Sequence, residues 1–65
     1  MLDGKYLKYL RDSRGFTQKD IAELLGTSVQ SYSRKEINGK FKAEELNQIR
    51  IKLGLTNEEY FRIFK

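Results

Sequence analysis

The sequence predicts an all-α fold, with five short helices in one compact unit spanning residues 1–65. Three observations predict it. Apolar residues recur at helical spacing, as in Leu7-Leu10 and Leu46-Ile49-Leu53. Capping side chains stand ahead of these runs at Asp3, Thr17, Ser28 and Thr56. Glycines stand behind them, at Gly15, Gly26 and Gly54, with Asn38-Gly39 as a further turn signal.

The first helix is expected from about Asp3 to Ser13, with Leu7 and Leu10 on one face and Tyr6 extending the stripe. Arg14 and Gly15 read as a cationic last turn and a C′ glycine. Phe16 precedes the Thr17 cap and is placed to staple onto Ile21. In the second helix Asp20 supports the capped first turn, and Ile21, Ala22, Leu24 and Leu25 form the apolar face. Gly26 then stops the helix.

The third helix, from about Val29 to about Ile37, is the unusual one. Val29, Gln30, Ser31, Ser33, Arg34 and Lys35 offer little apolar surface to bury. So polar a helix needs a partner outside the core, and a DNA major groove is one. Tyr32 reads as its inward residue, with a hydroxyl able to reach the surface. A fourth helix is expected from about Ala43 to Leu53, with Glu44 and Glu45 at its favourable N-terminal end. Thr56 and Glu59 form a capping box opening a fifth helix from Asn57 to about Phe64. Tyr60, Phe61, Ile63 and Phe64 are a heavy apolar load for so short a helix, and they point around more than one side. They read either as a plain core helix or as a core helix with a dimer contact at Tyr60, Phe61 and Phe64.

Composition narrows the function. There is no cysteine and no histidine, which removes disulfides, thiolate metal sites and the commonest general base. No cofactor motif, catalytic cluster or glycine-rich phosphate loop appears, so no enzyme, no metal site and no small-molecule substrate is expected. No run of 18 apolar residues exists and the N-terminus has no signal-peptide pattern, so the cytoplasm is the expected compartment. The net charge is +4, a modest excess that suits a polyanion. The bias sharpens from Arg34 to Lys42, with four cations and one anion.

The stretch 17–37 resembles the helix-turn-helix of the phage Cro and repressor family, the Cro/C1-type or XRE domain. The matching residues are Thr17-Gln18, Ala22, Gly26, Ser28, Gln30, Ser33 and Glu36, followed by Asn38-Gly39-Lys40. The resemblance runs from about Tyr6 to Phe64 and implies a lambda-repressor-like five-helix bundle. It implies double-stranded operator DNA as the partner, in a bacterial or phage-infected cell. The family's base-reading positions fall on Val29, Gln30 and Arg34, with Ser33 beside them. Glutamine can bridge adenine N6 and N7, arginine can grip guanine O6 and N7, and valine can touch a thymine methyl.

The resemblance also implies phosphate contacts at Gln18 and Lys19, and at Asn38, Lys40 and Lys42 in the following loop. Ser31 is expected to meet a phosphate or a water-bridged base edge, and Lys35 to snorkel to a phosphate. It further implies an ion pair between Arg11 and Glu36. In one place the chain departs from the family. Relatives commonly read Glu-Asn-Gly, whereas this chain reads Glu36-Ile37-Asn38-Gly39. Ile37 either extends the helix and buries itself or widens the loop. Read as a whole protein, the chain has no separate dimerisation domain, which favours a Cro-like repressor over the larger ones. The competing reading is a protein-interaction module, such as an antitoxin or a modulator of another repressor.

Overall fold

Side-chain caps start four of the five helices. In a computed structural model describing residues 2–64, the helices are α1 (Gly4–Ser13), α2 (Gln18–Leu25), α3 (Val29–Asn38), α4 (Ala43–Leu53) and α5 (Asn57–Ile63). Asp3, Thr17, Ser28 and Thr56 each accept a hydrogen bond from the backbone N–H three residues on. Asp20 and Glu59 reciprocate, closing capping boxes on Thr17 and Thr56. At α4 the cap is reversed. Lys42 has no side-chain acceptor, and its backbone N–H donates to Glu45 instead. The last turns of α2, α3 and α4 close in Schellman fashion, where Thr27, Lys40 and Leu55 N–H reach back to Ala22, Lys35 and Arg50 carbonyls.

Helix α3 packs against both α1 and α2, while α4 lies on α2 and α5 on α1. Leu7, Leu10, Ile21, Ala22, Tyr32, Ile49, Leu53, Leu55 and Ile63 form the core where these faces meet. Phe16 and Leu25 are half-buried against it. Leu24 is 37% exposed and contributes less than its place in the apolar pattern predicts.

Two close approaches lock the N-terminus onto α3. A Cβ on Gly4 would fall inside the van der Waals radius of the Glu36 carbonyl oxygen. Gly39 has φ +65°, and a Cβ there would come within 2.5 Å of the Leu2 carbonyl oxygen. Leu2 in turn forms an isolated antiparallel bridge with Phe64, and Asp3 N–H donates to Ile63 O at 2.7 Å. Leu2 and Phe64 are thereby pinned beside the C-terminus of α3.

Three expectations change. Helix α3 runs through Asn38, so Asn38 is its last helical residue and Gly39 makes the turn. Ile37 extends the helix, as one reading had it, but remains 78% exposed at the edge of a concavity that it shares with Gly4, Lys5 and Lys8 of α1. Helix α5 stops at Ile63, and Phe64 leaves in extended conformation to meet Leu2.

Candidate nucleic-acid interface

The inner face of α3 is held by a buried polar hub. Glu36 is 3% exposed and Arg11 4% exposed. Arg11 Nε donates to Glu36 Oε2 at 2.9 Å, and Arg11 Nη2 donates to Oε1 at 3.3 Å. The Tyr32 hydroxyl, one turn earlier, donates to Oε2 at 2.6 Å. Gln18 Nε2 at the start of α2 donates to Oε1 at 3.1 Å. Arg11 Nη1 also reaches Phe16 O and Asp12 Oδ1, at 2.7 and 2.9 Å. Among the described residues no buried side-chain nitrogen or oxygen lacks a partner. One carboxylate therefore joins α1, α2 and α3.

Electrostatics follow from that geometry. Burial alone pushes the Glu36 carboxyl up. The bonds from Arg11, Tyr32 and Gln18 outweigh it and hold the group below the ordinary carboxylate range. Burial, reinforced by the bond to Glu36, pushes the Tyr32 phenol far above its usual value. Burial opposes the charge on Arg11, but Glu36 overcomes it and raises the guanidinium further. The hub is thus ionised at neutral pH, and the Tyr32 hydroxyl points inward instead of to the surface.

The outer face of α3 is the opposite. Val29 is 39% exposed, and Gln30 and Arg34 are exposed. Ser31 and Ser33 sit half-buried at its edges. The side chains of Gln30, Ser31, Ser33 and Arg34 have no hydrogen-bond or ion-pair partner among the described residues. A helix made of residues that the core cannot use is thereby fixed on one side and left free on the other.

The remaining candidates divide. Lys19, Asn38, Lys40 and Lys42 are exposed. Gln18 is half-buried, with one amide N–H held by Glu36, so it braces α3 as well as lying at the N-terminus of α2. A concavity there is lined by Lys8, Arg11, Gln18 and Lys19, among others. Lys35 is half-buried, and its ammonium lies 3.2 Å from Glu45 Oε2, tying α3 to the start of α4. Burial opposes ionisation of Glu45, but the Lys42 backbone N–H and Lys35 hold its carboxyl low.

At the other end, Tyr60 is half-buried and meets Phe64 edge-on at 5.2 Å, with Arg50 stacked 5.6 Å from its ring centroid. Phe61 is 74% and Phe64 44% exposed. A clamp that the sequence reading passed over also lies here. Arg14 Nε donates to Leu53 O at 3.1 Å, and Arg14 Nη2 pairs with Glu59 at 2.6 Å. The sequence marks Arg14 only as a last-turn cation, because its partners lie 39 and 45 residues away.

Among the described residues no helix is long and apolar enough to cross a membrane. No curated protein and no solved structure matches the chain. The helix-turn-helix family model does match, over residues 7–40, just over half of the chain and the whole of α2 and α3. The chain belongs to the Cro/C1-type helix-turn-helix family, a family of DNA-binding regulators that are typically not enzymes.

Proposed function

We propose that the protein is a sequence-specific transcriptional repressor that occludes a promoter by binding a near-palindromic operator as a dimer. The observation that carries this reading is the unpartnered outer face of α3, which offers Gln30 and Arg34 to solvent on a helix fixed from behind by Glu36. Two copies would set their α3 helices in successive major grooves about 34 Å apart. Val29, Gln30, Ser33 and Arg34 would read bases. Gln18, Lys19, Ser31, Lys35, Asn38, Lys40 and Lys42 would position the protein on phosphates, with Lys35 also bracing the frame through Glu45. The exposed rings of Phe61 and Phe64 favour a two-fold contact, with Tyr60 as its half-buried support.

Selection from a pool of randomised duplexes tests this reading. Enrichment of a near-palindrome with half-sites one helical turn apart, bound by two copies, is the expected result. Failure to enrich any sequence, with no salt-dependent retention on DNA by the folded protein, would overturn it. That outcome favours the protein-interaction reading, with Phe61 and Phe64 as the place to seek the partner.

A further inference from the structure

Ile37 is more exposed, at 78%, than any other large apolar side chain among the described residues. It lies in α3, seven residues after Gln30 and four after Ser33. Seven residues make about two helical turns, so Gln30 and Ile37 differ by only about 20° around the axis. Their separation along the axis is about 10.5 Å. The face presenting Gln30 and Arg34 thus continues one turn further and ends in an apolar group.

The surroundings of Ile37 are basic. Gly4, Lys5, Lys8, Glu36 and Ile37 line one concavity of about 220 Å³. Glu36 is already neutralised within the hub. Lys5 and Lys8 are exposed on α1, with no ion-pair partner among the described residues. Lys8 also lines the concavity that holds Gln18 and Lys19. A cationic edge therefore runs from the start of α2 along α1 to Ile37. A branched aliphatic group on the Gln30 stripe, rimmed by lysines, fits a methyl-bearing base edge flanked by phosphates.

We propose that Ile37 is a specificity-determining residue that packs against a thymine C5-methyl in the major groove, with Lys5 and Lys8 on the adjoining phosphates. This inference rests on the DNA-binding reading. It assigns the helical extension at Ile37 a base contact distinct from the one made by Gln30.

Thymine-to-deoxyuridine replacement tests it, because only the methyl is removed. The probe is the duplex enriched from the randomised pool, with each thymine replaced in turn. The wild-type protein should lose about fourfold in affinity at the Ile37 position, the size of one buried methyl. Ile37→Ala should be insensitive to that replacement, while keeping its response to changes at the Arg34 position. Val29→Ala should lose its sensitivity at a different thymine. If Ile37→Ala and wild type respond identically to every replacement, the inference fails and the DNA-binding reading stands. If the pool yields no enriched duplex, both fall.

Discussion

The two faces of α3 solve opposite problems. Toward the core, Tyr32 and Glu36 are buried and every polar atom is engaged. Toward solvent, Gln30 and Arg34 have no partner among the described residues, and Ile37 is left largely uncovered. The inner face supplies orientation and the outer face supplies chemistry. The contrast teaches why so polar a helix is stable here. It is not held by an apolar stripe of its own, since only Tyr32 and Glu36 of its ten residues are buried. It is held by the buried Tyr32 ring in the core and oriented by a carboxylate that accepts four hydrogen bonds from three side chains, Arg11 of α1, Gln18 of α2 and Tyr32 of α3 itself.

Breaking the inner face should have the largest effect. Glu36→Ala removes the buried counter-charge of Arg11 and leaves only the exposed Asp12 carboxylate beside it, at a cost of up to about 3–5 kcal/mol. That is a large part of the stability expected of a domain this small. Urea denaturation measures it, and a loss below 1 kcal/mol would remove the hub from its central place.

Changing the outer face should leave folding alone. Arg34→Ala is expected to keep the urea midpoint and to weaken operator binding by about 1–3 kcal/mol, with discrimination lost at one base pair. An equal loss on every duplex would show that Arg34 meets phosphate and reads no base.

Acid should separate the faces more gently. The folded Glu36 carboxyl lies below its ordinary value of 4.5, so its contribution is fully present above that value and disappears as pH falls through the folded one. Glu45, Glu59 and Asp20 are shifted in the same direction. Stability should therefore hold steady from neutral pH to about pH 5 and decline below it. Glu36→Gln should decline less over the acid range than wild type, and an equal decline in urea titrations at pH 7 and pH 3 would contradict the assignment.

The smallest effect should come from the loop. Lys40→Ala should weaken all duplexes alike and lower the slope of log affinity against log salt by about 1.

The same contrast explains what could be read from the sequence. The caps at Asp3, Thr17, Ser28 and Thr56 and the stop at Gly26 are local devices, set by neighbours within a few residues, and they were legible. So was the polarity of α3. The family resemblance implied that Gln18 braces α3 and that Arg11 pairs with Glu36, but the bond from Tyr32 to the same carboxylate was not legible, since it depends on how three helices cross. The Arg14 clamp and the fit of Gly4 against the Glu36 carbonyl arise in the same way, from contacts far apart in the chain. Ile37 was a nearer miss. The helical register from Gln30 already puts it on the outer stripe, but an apolar residue invites burial, and only the packing shows that α1 leaves it 78% exposed.

The most direct test of the two-faced helix is an amide chemical-shift titration of the labelled protein with random duplex DNA, first at low and then at moderate salt. Shifts should cluster on Gln18 and on Val29 to Lys42, and should shrink as salt rises, because a large part of nonspecific binding is release of counterions. If those amides stay still at low salt while the protein remains folded, the outer face of α3 does not meet DNA.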